Sequence, residues 1–205
     1  MEHKRRVLIK LSGEMLSAPG KTLDYDKIDA VAAVLKEIAD RGVQQGIVVG
    51  GGNIMRGRAS GEMDRTDADH MGMLATVINA VALKDALLRI GAKAAVMSAI
   101  EMKQVCETFT KREAVERLDA GEMVLFAAGT GRPYFSTDTA AALRALEIGA
   151  DMLYCGKAVD GVYDKDPRKF KNARRYDEIT YDEVILKRLE ALDQASVILC
   201  RDRPG

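Results

Sequence analysis

The chain has 205 residues, 47% of them hydrophobic and 30% charged, with Lys+Arg and Asp+Glu balanced at 31 each. This length suits one domain or two tightly fused lobes with a sizeable core, and the composition is that of an ordinary soluble globular protein. Balanced charge gives no bulk attraction to nucleic acid or membrane, so an anion site must be a local cluster. Cys106, Cys155 and Cys200 are scattered and form no CxxC or Cys/His pair. They argue against a disulfide framework or structural zinc and read as buried thiols in a reducing compartment. The apolar run after the basic start His3-Lys4-Arg5-Arg6 is too short for a signal-peptide core or a membrane span, so the cytoplasm is expected.

Short apolar runs then alternate with amphipathic stretches. Residues 7–11 read as a strand, followed by a helix over about 24–41 with Ile28, Val31, Ala32, Leu35, Ile38 and Ala39 at helical spacing. Asp24 can cap that helix and Gly42 end it. Residues 46–49 form a second strand, stopped by Gly50-Gly51-Gly52, and a long helix spans about 66–90, closed by Gly91. A strand over 93–97, a helix over 111–119, a strand over 123–128, a helix over about 137–148 and a strand over 151–155 follow. Residues 160–177 are polar, contain Pro167, and read as a surface loop. Thr180-Tyr181-Asp182-Glu183 makes a capping box for a helix through Leu189, and Asp193 opens another. The fold class expected is α/β, a mainly parallel sheet sandwiched between helices, in which ligands sit at the carboxyl ends of strands.

Three of those strand ends carry glycine: Lys10-Leu11-Ser12-Gly13, Gly50-Gly51-Gly52-Asn53, and Gly129-Thr130-Gly131-Arg132-Pro133-Tyr134-Phe135-Ser136-Thr137-Asp138. The last turns on two glycines and opens a helix with Ser, Thr and Asp, offering backbone N–H groups and a positive helix end to an anion. Three such ends together point to a phosphorylated ligand. There is no G-x-x-x-x-G-K-[ST], no G-x-G-x-x-G after the first strand, and no G-x-S-x-G. An ordinary P-loop, a dinucleotide fingerprint and a hydrolase elbow are therefore disfavoured. Lys10, set between apolar residues of a buried strand, is costly without an anionic partner. The glycine triplet exposes successive N–H groups, and Arg56 beyond it can fork onto the same anion. Asp69 is a candidate acceptor for ribose hydroxyls, and Asp138 is either a helix cap, an orienter of Lys10 or a holder of metal-bound water. The stripe Met71, Met73, Leu74, Val77 reads as core or subunit interface.

Together these segments resemble the bacterial-type uridylate (UMP) kinases of the amino-acid kinase superfamily. The resemblance rests on Lys10 to Glu14, Gly50 to Gly57, Asp69 to Thr76, Gly129 to Ala142, and Val159 to Tyr163 with Asp166-Pro167. It implies one domain over residues 1–205, with an acceptor-side lobe over about 1–150 and an ATP-side lobe over about 151–205. It further implies transfer of the ATP γ-phosphoryl to UMP with magnesium, in a cytoplasmic homohexamer that answers to UTP or GTP. Lys10, Arg56 and Asp138 would be catalytic. ATP would meet Lys10, Leu11, Ser12, Gly13, Gly52, Arg56, Lys157, Tyr163 and Asp166. UMP would meet Gly51, Asp69, Thr130, Gly131, Arg132, Pro133, Tyr134, Phe135, Ser136 and Thr137. No dedicated protein metal site is implied, nor any nucleic-acid or membrane partner.

The chain departs from the family pattern at Arg132, where Asn is usual, and in the short segment 17–21, which disfavours GTP activation. It also ends at Gly205, where relatives continue for another strand and a hairpin. A bare sheet edge and lowered stability are the expectation from that ending. Two rival readings stand beside the UMP kinase one: a small-carboxylate kinase of the same fold, and a nucleotide- or oxyanion-binding protein without turnover.

Overall fold

The computed structural model describes residues 5–55, 63–156, 159–189 and 192–202. Its strands are β1 (Arg6–Leu11), β2 (Gln44–Val49), β3 (Ala94–Ser98), β4 (Glu107–Thr108), β5 (Met123–Ala127), β6 (Met152–Gly156), β7 (Val162–Tyr163) and β8 (Arg175–Tyr176). Its α-helices are α1 (Tyr25–Asp40), α2 (Arg65–Arg89), α3 (Lys111–Asp119), α4 (Thr137–Glu147), α5 (Tyr181–Leu186) and α6 (Gln194–Arg201). The first six strands form one sheet in the order β4-β3-β5-β2-β1-β6, and every adjacent pair is parallel.

The central strands β2, β3 and β5 are buried on both faces, as parallel strands under helices must be, while the edge strand β6 exposes Met152 and Tyr154. In β5 the period of two sends Met123, Leu125 and Ala127 to one face and Val124 and Phe126 to the other. The first face packs on α1 and α2 through Leu35, Leu83 and Leu87. The second packs on α3 and α4 through Leu118, Ala141 and Ile148. Each fully buried leucine contributes about 1.5–3 kcal/mol to this core. In β1, Leu8 faces α3 and α4, so Lys10, two residues on, faces the same way. The sandwich of helices about a parallel sheet is the one the alternation of the sequence implies.

By length and composition α2 could cross a membrane, yet half of its apolar window is buried in the protein, and it serves as a core helix. The expected caps form: Asp24 accepts from the Lys27 N–H, and the Thr180–Glu183 capping box is complete.

Three expectations need correction, and two small elements are new. Residues 160–177 are not simply a loop, because β7 and β8 pair antiparallel within them. Two-residue strands are too short to show an alternating pattern. The helix opened by Thr180 stops at Leu186 rather than Leu189, turned by Arg188 at φ +49° with no glycine to signal it. The 3₁₀ turn Gly13–Leu16 and the short β4 were not foreseen. The three thiols are part-buried rather than fully buried.

Candidate active site

The carboxyl ends of β1, β2 and β5 converge, and their glycines are fitted to one another. A Cβ on Gly13 would lie 2.3 Å from Asn53 Oδ1 and 2.5 Å from the Gly50 carbonyl oxygen, so the first two turns interlock only because position 13 is bare. The Gly50 N–H extends the ladder onto the Leu11 carbonyl at 2.9 Å. Asn79, fully buried on α2, holds the second turn, donating to the Gly50 carbonyl at 2.7 Å and to Asn53 Oδ1 at 2.8 Å. Gly51 lies against α2, where a Cβ would meet the Gly72 carbonyl oxygen at 2.8 Å, whereas Gly52 faces open space.

The third turn leaves β5 through strained backbone. Ala128 (φ +60°), Gly129 (φ +58°), Gly131 (φ +74°) and Tyr134 (φ +72°) all lie in the left-handed region. Side chains of α2 restrain them. Thr76 Oγ1 accepts from the Ala128 N–H at 2.8 Å and donates to the Met73 carbonyl at 2.7 Å. Asp69 Oδ2 accepts from the Tyr134 N–H at 2.7 Å and from Arg65 Nε at 2.8 Å. The buried Arg144 lies over the Phe109 ring at 3.9 Å and reaches the Gly129 carbonyl at 3.4 Å. The turn ends on Ser136, which caps α4 by accepting from the Thr139 N–H at 3.1 Å.

At the start of α4, Asp138 Oδ1 sits 2.9 Å from Lys10 Nζ, with the two side chains only 15% and 11% exposed. The anionic partner that a strand-borne lysine needs is therefore a carboxylate of the neighbouring helix. The pair stands between two clefts. One, of about 1220 Å³, is lined by Gly51, Gly52, Asp69, Thr130, Arg132, Phe135, Ser136, Thr137 and Asp138 among others. The other, of about 600 Å³, is lined by Lys10, Ser12, Tyr163, Asp166, Pro167 and Phe170 among others. Lys10 faces the second cleft and Asp138 the first, and Arg188 and Leu189 border both.

Most of the residues singled out from the sequence come together here, with differences. Gly131, Pro133 and Tyr134 shape the third turn without lining its cleft, and Leu11 and Gly13 lie behind the wall of the second. Gly52 borders the larger cleft, not the smaller one. Arg56 and Lys157 lie outside the described residues. In the smaller cleft the Tyr163 hydroxyl donates to Asp160 Oδ1 at 2.8 Å, which raises the Tyr163 pKa and lowers that of Asp160. Asp166 is held below the usual carboxylate range by the Arg168 side chain and then its N–H.

Sequence reasoning saw Asp193 only as a helix start. In the fold it both caps α6, accepting from the Ser196 N–H at 2.9 Å, and reaches α4, accepting from Thr139 Oγ1 at 2.9 Å and from Ser136 Oγ. Burial alone would raise its pKa, but the hydrogen bonds from Ser136, the Ser196 N–H and Thr139 outweigh it and hold the carboxyl below its usual range. Asp193 lines the larger cleft. No local pattern joins residues 136 and 193, so only the fold could reveal this contact.

Two clefts, the larger walled by the glycine turns, meet at a buried cation–carboxylate pair, a layout suited to phosphoryl transfer. Comparison with known proteins gives its lineage. The model of the amino acid kinase family matches residues 5–203, and the chain belongs to that family. It is 54% identical over 201 residues to a uridylate kinase of Xanthomonas campestris pv. campestris, covering 97% of this chain and 84% of the relative. The uridylate kinase of Xanthomonas euvesicatoria pv. vesicatoria matches at the same identity and coverage. The crystal structure of UMP kinase from Bacillus anthracis superposes with a TM-score of 0.93 at 36% identity, over 97% of this chain and 83% of that one. The UMP kinase structure from Ureaplasma parvum gives 0.93 at 37%, over 98% and 87%. Within the family the chain stands with the bacterial UMP kinases, and it is a nucleoside monophosphate kinase.

Proposed function

We propose that the chain phosphorylates UMP to UDP with ATP, in pyrimidine nucleotide biosynthesis. The observation that carries this reading is the Lys10–Asp138 pair at the junction of the two clefts. ATP occupies the smaller cleft, its adenine nucleoside beside Tyr163 and Asp166 and its phosphates toward Lys10, Ser12 and Gly13. UMP occupies the larger one, between Gly51, Asp69 and the 130–137 turn, with Arg132 at its rim. This division assigns the acceptor side mainly to residues 1–150 and the ATP side mainly to residues 151–205.

An oxygen of the UMP phosphate attacks Pγ in line. A new P–O bond forms as the bond from Pγ to the β,γ-bridging oxygen breaks, and that electron pair leaves with ADP. No covalent enzyme intermediate is involved. Lys10, oriented by Asp138, neutralises charge on the moving phosphoryl, with Arg56 as a second cation and the backbone N–H groups of Gly51 and Gly52 as donors. Among the described residues no three His, Cys, Asp or Glu groups gather into a metal cage. The Asp138 carboxylate, which lines the larger cleft, instead suits a magnesium ion that would arrive on the nucleotide and keep most of its water. When bound, that ion neutralises phosphate charge. Cytoplasmic location, a homohexamer and an effector response to UTP or GTP belong to the same reading. The half-exposed Met71, Leu74 and Ile78 on α2 offer a surface for assembly.

A coupled ADP-release assay with ATP and magnesium tests this reading, offering UMP, CMP, carbamate and acetylglutamate in turn. Turnover with UMP is expected. Turnover with a carboxylate or carbamate instead would establish the small-carboxylate alternative. ATP binding without turnover on any acceptor would establish a binding protein.

A further inference from the structure

The helices of this chain end in a consistent way. Past the C-caps of α1, α2, α3 and α4 the next residue is glycine, at φ +81° (Gly42), +78° (Gly91), +78° (Gly121) and +64° (Gly149). Glycine is favoured there because the left-handed conformation crowds a Cβ. Helix α5 closes with the pair of bonds that also closes α2, α3 and α4, here from the Leu189 N–H to the Val184 carbonyl at 3.1 Å and from the Arg188 N–H to the Ile185 carbonyl at 3.1 Å. Yet the residue in the left-handed position is Arg188, at φ +49°.

Position explains what local preference does not. Arg188 is exposed and borders both clefts, while Leu189 beside it is buried against Val184 and Val197 and fixes the backbone. Among the described residues the Arg188 guanidinium makes no hydrogen bond or ion pair. Lys10, across the junction, shares its charge with Asp138, which leaves room for a further cation facing two incoming polyanions. Backbone strain kept at a site is a sign of function when the surroundings over-determine it.

We propose that Arg188 is a further catalytic residue, a cation at the cleft junction whose guanidinium forks onto phosphate oxygens of both nucleotides. Arginine suits this place better than lysine because its planar donors grip a phosphate in pairs. Contact with both ligands also makes each substrate bind more tightly when the other is present.

This inference rests on the kinase reading above, and one series of variants separates the two. Arg188→Gly, Arg188→Gln and Arg188→Lys are compared with wild type for kcat, for KM of each substrate and for melting midpoint. Arg188→Gly relieves the strain and is expected to raise the midpoint by about 2–4 °C. It is also expected to lower kcat by about 10²-fold. Arg188→Gln keeps the strain and is expected to lose similar activity without the rise, and Arg188→Lys to recover part of it. A merely structural arginine cannot yield a protein that is more stable and slower. Wild-type turnover with Arg188→Gly and Arg188→Gln within twofold of it would overturn the proposal and leave the kinase reading intact. Absence of wild-type turnover would overturn both.

Discussion

Replacing Asp138 by Asn tests the site and its energetics at once. At 2.9 Å the attraction between Lys10 and Asp138 is about 6 kcal/mol at an effective dielectric of about 20. Removing both charges from water costs a comparable amount, so the intact pair adds little net stability. Removing only the carboxylate is different, because it leaves the ammonium of a lysine that is 9% exposed with no counter-charge. Loss of one partner of a buried pair costs about 3–5 kcal/mol. For a chain of this size that is a fall in melting midpoint of about 6–20 °C. The double variant Lys10→Met/Asp138→Leu removes both charges and should recover most of that loss, to within about 2 kcal/mol of wild type. Neither variant should turn over at a useful rate, since the proposed phosphoryl cation is misoriented in one and absent in the other. Urea denaturation supplies the stabilities and the ADP-release assay the rates. An Asp138→Asn protein within about 1 kcal/mol of wild type would refute the reasoning, as would a double variant no more stable than the single one.

Three further outcomes follow from single contacts. Gly13→Ala should lose about 1–3 kcal/mol, because its methyl collides with Asn53 and the Gly50 carbonyl, whereas Gly52→Ala, facing open space, should melt like wild type and raise KM. Thr76→Val strips the buried Ala128 N–H of its acceptor and should cost about 1–3 kcal/mol by denaturant titration. Asp193 has a depressed folded pKa, so its stabilisation is complete above the unfolded value of about 3.9 and is lost as pH falls through the lower folded one. Asp193→Asn should therefore be less stable at pH 7 and show a flatter loss of stability below about pH 4 than wild type.

Legibility in the sequence followed the range of the physics. Strands, helix starts and glycine stops depend on neighbours a few residues away, and the stops read at Gly42 and Gly91 fall where those glycines announced them. Lys10 could be read as needing a partner from the apolar residues beside it. Asp138 stood among its candidate partners, but choosing it depends on strand register and on where α4 begins, which the period of two in β1 makes intelligible once the sheet is known. Asp193 left no trace beyond its cap, because its bonds to Ser136 and Thr139 span more than fifty residues. The end of α5 was placed too late, at Leu189: without a glycine at position 188, nothing local marked it.

The error at Arg188 and the strain at the third turn have one physical basis. Among the described residues only Ala128, Tyr134 and Arg188 combine a side chain with a positive φ. The first two belong to the turn that walls the larger cleft, and the third stands where the clefts meet. Such residues cost about 1–3 kcal/mol each and persist only where the surroundings hold them. Here the holders are visible: Thr76 on the Ala128 N–H, Asp69 on the Tyr134 N–H, and Leu189 buried beside Arg188. Helix α2 supplies the first two of these restraints from a face that also carries core residues such as Met73 and Val77. The stability of the α2 packing thus offsets the strain of the acceptor turn, and loosening either should loosen the other. Ligand geometry at the cleft is in this sense set by the hydrophobic core behind it.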